Sequence, residues 1–237
     1  MFLTRFRVNT ARAQSRQLLS SPQYVHAAVM SSFPDMLPTD TDVPRVLWRV
    51  DRTATAQVHL YIASPARPDL THLVEQVGWP AAATEEARGW TTYDYAPFLA
   101  RLEKGSTWNF RLTANPVHSI RNRDGVPTKR TAHRTARHQL RWLLQRQEEG
   151  GFHIHEKPAA RQHTQSGDTH QVVVTDQRAL DFSKRGEKGR ITLTTVTYDG
   201  RLDVTDPDAL RRLLTHGLGK AKAYGCGLMT LAPCSAP

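Results

Sequence analysis

Apolar and polar residues alternate from the start of the chain. Phe2, Thr4, Phe6 and Val8 fall on one side of an extended segment, and Leu3, Arg5 and Arg7 on the other, which predicts a strand over 2–8. Helical patterns follow over 13–19 and 22–32. Val25 and Val29 are four apart and would face a core, Ser21 suits an N-cap, and Pro22 suits the first helical position. After a loop marked by Pro34, Pro38 and Pro44, VLWRV (46–50) and VHLYIA (58–63) read as strands joined by a hairpin across 51–55. A short helix is predicted over 69–77, and 80–97 reads as irregular despite Trp90, Tyr93 and Tyr95. STWNFRLTA (106–114) is a further strand, closed by Asn115-Pro116. Leu140, Leu143 and Leu144 predict a helix over 131–149, stopped by Gly150-Gly151. A short strand over 152–155 precedes two long β segments, 171–182 and 190–203, with a turn over 184–189 between them. Asp206 caps a helix over 206–215 with Pro207 in its first turn, and 229–232 is the last strand.

The first half therefore runs strand, helix, strand, strand, helix, strand. That is the ferredoxin-like order, also used by RNA-recognition domains. The second half gives helix, strands, helix, strand. The expected class is α+β: two tandem ferredoxin-like (RRM-like) domains with antiparallel sheets. The expected boundaries are 1–116 for the first domain, 117–130 for a basic linker and 131–237 for the second domain. No strong sequence repeat accompanies this division, which rests on element order.

Composition narrows the class. In 237 residues there is no apolar run of the roughly 20 residues that a membrane helix needs. Cys226 and Cys234 are too few for a disulfide scaffold or a four-cysteine zinc site. The N-terminus has no long apolar stretch and no small-residue cleavage site, so a cytoplasmic protein is expected. The formal net charge is +10, and it is laid out in blocks. Residues 1–34 hold Arg5, Arg7, Arg12 and Arg16 and no acid. Residues 111–146 hold nine bases and one acid, Asp124, and 178–190 hold five bases and two acids. Mildly acidic stretches lie between. Blocks of one sign suit surfaces that meet phosphate, although each can also be a solvated face.

GLGKAKAYGCGLMTL (217–231) joins a helix to the final strand. Gly219-Lys220-Ala221 lacks the Ser/Thr of a phosphate-binding P-loop, and a dinucleotide fingerprint would follow a strand rather than precede one. What survives is a close-packed backbone with two cations, Lys220 and Lys222, able to lie against phosphate or simply to connect helix and strand. His153, His155, His163 and His170 lack carboxylates or cysteines at ligand spacing, so neither a metal nor any other cofactor is expected.

Five segments in order resemble one family: MFLTRFRVN followed by ARAQSRQLLSSPQYVHAAV; FRLTANP; RHQLRWLLQRQEEGGF; VTYDGRLDVTDPDAL; and the ending GLGKAKAYGCGLMTLAP. Together they resemble the CasE-type endoribonucleases of CRISPR systems, the precursor-RNA processing subunits of type I-E Cascade. The resemblance implies two ferredoxin-like domains. It also implies metal-independent cleavage of a CRISPR repeat hairpin by the substrate's own 2′-hydroxyl, leaving a 2′,3′-cyclic phosphate and a 5′-hydroxyl. The implied partners are the repeat RNA and other Cascade subunits, with no membrane and a monomer when alone.

Such a reaction needs a proton taken and a proton given, and imidazole suits both at neutral pH. His26 matches the family's catalytic histidine. Characterised members carry a tyrosine three residues before it; here that position is Gln23, and the tyrosine is Tyr24, two before. Positions two apart do not share a helical face. A second reading follows, a hairpin-RNA-binding subunit with weak or no cleavage. Arg12 and Arg16, four apart and so expected on one helical face, match basic positions of the motif and would hold the RNA backbone. Lys184, Arg185, Lys188 and Arg190 match a basic hairpin that reaches the stem, and Arg121, Arg123, Lys129 and Arg130 line the basic linker. Gly217, Gly219, Lys220 and Lys222 complete the expected RNA contacts.

Overall fold

A computed structural model describes residues 1–34, 43–84, 88–120, 129–163, 168–183 and 189–234. The chain divides into two units. The first holds Met1–Arg101 with Thr215–Gly217 and Ala221–Leu228, and the second holds Leu102–Leu214 with Leu218–Lys220 and Met229–Pro237.

The first unit contains β1 (Phe2–Val8), α1 (Ala13–Leu19), α2 (Pro22–Met30), β2 (Leu47–Arg52), β3 (Val58–Ser64), α3 (Thr71–Val77), β4 (Trp90–Asp94) and α4 (Ala96–Ala100). Its four-stranded sheet has the order β2-β3-β1-β4, antiparallel throughout. That is the ferredoxin-like order. The alternation in β1 puts Thr4, Phe6 and Val8 inward. Val25 and Val29 of α2 and Leu73, Val74 and Val77 of α3 cover that face together with Leu60 and Ile62. Each such side chain contributes about 1.5–3 kcal/mol on full burial.

The second unit contains β5 (Thr107–Ala114), β6 (Val117–Ile120), β7 (Lys129–Ala132), α5 (Ala136–Leu144), β8 (Phe152–Ile154), β9 (Val172–Ser183), β10 (Arg190–Val204), α6 (Pro207–His216) and β11 (Met229–Pro233). Its sheet runs β11-β5-β10-β8, the same order as the first once the insertions are set aside. β9 pairs with β10 beyond the stretch taken by β8, so Arg190–Thr195 carry a hairpin past the end of the four-stranded sheet. The core holds Phe110, Leu112, Trp142, Leu143, Tyr198, Leu202, Leu210 and Leu214. The buried Tyr198 hydroxyl donates to the Gln139 carbonyl at 2.9 Å, which ties β10 to α5.

The structure corrects three expectations. The strand over 106–114 does not close the first sheet; it is β5, paired with β10 and β11 in the second unit. The closing strand is β4, inside the stretch read as irregular, paired with β1 from Phe2↔Asp94 to Phe6↔Trp90. The units accordingly divide at Arg101/Leu102, not at 116/117. The linker contains a hairpin, β6 with β7, which takes the first residues assigned to the long helix. α5 begins only after Thr135, whose hydroxyl accepts the His138 N–H.

Candidate functional site

α2 is well defined at its start. Ser21 is extended (φ −145°, ψ 134°), its hydroxyl oxygen accepts the Gln23 N–H at 3.3 Å, and Pro22 occupies the first turn. With Val25 and Val29 inward, His26 falls at the rim of the buried face and is half-buried. Its Nδ1 is buried with no hydrogen-bond partner among the described residues. Burial pushes the imidazole below its ordinary value of 6.5, because the charged ring would lose hydration. At neutral pH the ring is uncharged, the form that can take a proton.

The regular first turn settles the neighbours. Gln23 lies three residues before His26 and shares its side of α2, whereas Tyr24 lies about 200° round the helix. Tyr24 is 50% exposed. The sequence predicted this separation, and the helix has no irregularity to undo it.

Arg12 and Arg16 are not two turns of one helix. Arg12 is the extended N-cap residue of α1 (φ −77°, ψ 140°), and its guanidinium donates to the Gly78 carbonyl at 3.3 Å. Arg16 is exposed and donates to the Ala11 carbonyl at 3.5 Å. The expected shared helical face is thus replaced by a cap and a helical position.

The glycine-rich ending has divided duties. Gly217 has φ +77°, and a Cβ there would stand 2.8 Å from the Leu47 side chain. Gly219 has φ +81° and would meet Trp142 at 2.9 Å. Both glycines are required by a left-handed backbone and a close approach. Lys220 is exposed. The 3-10 turn Lys222–Tyr224 packs against α2, the helix of His26. Sequence reasoning placed Lys222 near RNA but missed that this turn joins the His26 helix, and it missed Tyr224 altogether; no local signal reveals a contact across about 200 positions.

Arg121, Arg123, Lys184, Arg185 and Lys188 lie outside the described residues. Lys129 and Arg130 are on β7, opposite Ile120 and Ser119. Arg190 opens β10, exposed, and its guanidinium holds the Asp181 carboxylate at 2.8 Å across the hairpin. Elsewhere in the second unit, His155 Nδ1 meets Asp203 at 3.0 Å, and the Thr107 hydroxyl donates to the same carboxylate at 2.5 Å. Among the described residues no three of His, Cys, Asp and Glu could hold a metal ion. None of the helices among those residues is long and apolar enough to cross a membrane.

Two antiparallel sheets of one strand order, each covered by helices, with an unpartnered imidazole on a capped helix of the first, define a tandem ferredoxin-like protein. The sequence model of a family described as CRISPR associated protein matches residues 1–233. The chain belongs to that family. It is 28% identical over 236 residues to the CRISPR-associated endoribonuclease Cse3 of Thermus thermophilus, covering 98% of this chain and 100% of that one. It is 32% identical over 140 residues to the CRISPR system Cascade subunit CasE of Escherichia coli, covering 56% of this chain and 61% of that one. A structure of Thermus thermophilus Cse3 bound to an RNA representing a pre-cleavage complex matches at a TM-score of 0.73 and 26% identity, covering 98% of each chain.

Proposed function

We propose that this protein is a metal-independent endoribonuclease that cuts the hairpin of CRISPR repeats in precursor RNA. It works in the cytoplasm, keeps its product and joins a Cascade-type surveillance complex. The family, the RNA-bound relative and the tandem fold support this reading. The observation that carries it is His26: half-buried, uncharged at neutral pH, with a ring nitrogen that no protein group occupies among the described residues. His118 also has a buried Nδ1 without a partner among the described residues, so what sets His26 apart is that nitrogen together with its place on the capped helix that matches the family's motif.

In the proposed reaction His26 takes the proton of the 2′-hydroxyl. The 2′-oxygen attacks phosphorus in line, and the bond from phosphorus to the 5′-oxygen breaks. The departing 5′-oxygen takes a proton from water, His26 returns its own proton to solvent, and the products are a 2′,3′-cyclic phosphate and a 5′-hydroxyl. Arg12, Arg16 and Lys222 supply cations for the phosphate near the cut. Gln23 shares the face of His26 and offers a neutral hydrogen bond; Tyr24 stays outside the reaction. Lys184, Arg185, Lys188 and Arg190 hold the stem, whose deep narrow groove presents phosphate and shape rather than base edges. Arg121, Arg123, Lys129 and Arg130 add phosphate contacts, and Gly217, Gly219 and Lys220 let the terminal loop lie near the backbone.

The position of Tyr24 favours one second reading, a hairpin-binding subunit that cuts weakly or not at all. Repeat RNA from the host, incubated with the protein in EDTA, separates the two. Cutting that leaves a cyclic phosphate and a 5′-hydroxyl supports the nuclease. Tight binding without cutting supports the second reading, and no preference over a random hairpin removes both.

A further inference from the structure

Trp79 is a large indole left 38% exposed where the chain leaves α3, at the head of the 3-10 turn Pro80–Ala82. It lines an open pocket in the first unit together with Asn9, Arg12, Gly78 and Pro80–Ala82. The Arg7 guanidinium carbon lies 4.8 Å from the centre of the Trp79 ring. Arg7 is exposed, and its side chain makes no hydrogen bond or ion pair among the described residues. Arg12 and the Asn9 side-chain amide donate to one atom, the Gly78 carbonyl, at 3.3 and 3.4 Å. That anchors both side chains at the rim and leaves most of the Arg12 fork unused. No carboxylate lines the pocket among the described residues.

The surface therefore offers a flat aromatic face, a small-residue floor and two guanidinium groups without an anion. A free phosphate would meet the cations but leave the indole bare. An aromatic peptide side chain would cover the indole but leave the cations unmatched. A nucleotide satisfies both, with its base on Trp79 and its phosphate at Arg7 and Arg12. Bases inside a stem are stacked on their neighbours, so the nucleotide must be unpaired. We propose that the pocket of Asn9, Arg12 and Trp79, with Arg7 beside it over the Trp79 ring, holds one unpaired nucleotide of the RNA, outside the hairpin stem. The inference rests on the repeat-RNA reading above and adds to it a grip on the single-stranded flank.

Binding by fluorescence anisotropy tests it, using the full chain and RNA made uncleavable by a 2′-deoxy substitution at the cut. One RNA is the bare stem-loop, and the other carries its single-stranded flanks. Wild type is expected to bind the flanked RNA more tightly. Trp79→Ala should lose about fivefold or more on the flanked RNA and stay within about twofold on the bare stem-loop, as removal of one base stack requires. Trp79→Phe, which keeps a ring, should retain most of the difference. In wild type, 5-iodouridine placed through the flank should crosslink to Trp79 on irradiation, a readout that needs no variant to fold. Equal affinities of wild type and Trp79→Ala for flanked RNA, an equal loss on both RNAs, or crosslinks confined to other residues would overturn the inference while leaving the nuclease reading intact. If wild type prefers neither RNA over a random hairpin, both fall together.

Discussion

The two units share a strand order and differ in how their charges are spent. In the second, His155 is held by Asp203, Arg111 by Asp199, Arg178 by Asp176 and Arg190 by Asp181. The first also has a buried pair, Arg49 with Asp51, inside its sheet. Around its first helices, however, and among the described residues, Arg7, Arg12 and Arg16 stand without a carboxylate and His26 keeps a buried nitrogen without a partner. An unpartnered buried polar atom costs about 1–3 kcal/mol, and the second unit keeps such atoms too, at Asn115, His118 and Trp142. One scaffold used twice thus carries several bases paired with carboxylates in the second unit, and in the first a run of arginines beside the His26 helix that has no such pairs among the described residues. The long hairpin of β9 and β10 is the second unit's own elaboration.

The contrast breaks most visibly at His26. His26→Ala should lower the single-turnover cleavage rate at least about a hundredfold, the scale of general acid–base catalysis, while affinity stays within about twofold. A rate equal to wild type removes His26 from the chemistry.

Smaller, and on the binding side, is the paired change Lys184→Ala with Arg185→Ala. It should weaken binding about tenfold and lower the slope of log affinity against log salt by roughly one to two, with the rate at saturating RNA preserved. A lost rate with intact affinity would mean that the second unit also does chemistry.

The pH profile has a definite sign. In the proposed reaction His26 acts as a base in its neutral form, and burial lowers its pKa from the ordinary 6.5. The cleavage rate should therefore climb as pH rises through that lowered value and be level by about pH 7. A rate that instead falls between about pH 6 and 8 would assign His26 as the acid. Smallest of all, Tyr24→Phe should change the rate by less than about twofold, since Tyr24 faces away from His26.

Much of this was legible in the residues. The helix around Val25 and Val29 follows from spacing and a capping serine, and it carries His26 to the rim of a core. What failed was long-range pairing. Element order cannot say which of two candidate strands closes a sheet, and 106–114 is the better-looking one. WTTYD of β4 shows no clean apolar alternation because it is an edge strand with only Trp90 packed on the core. The glycines of the ending were readable as close approaches. The arrival of Lys222–Tyr224 at α2 was not, since it depends on the return of the chain from the second unit to the first. Nor does any pattern reveal that His26 Nδ1 has no partner among the described residues; that is a property of the packed neighbourhood.

In the proposed reaction the RNA's own 2′-hydroxyl is the nucleophile, and the protein supplies only position, charge and proton transfer. The most direct test compares wild-type protein on repeat RNA and on a copy with a single 2′-deoxy substitution at the cleavage nucleotide, both in EDTA. The account predicts equal affinity for the two, with cutting of the all-ribose strand alone. Cutting of the 2′-deoxy copy at the same bond would contradict it.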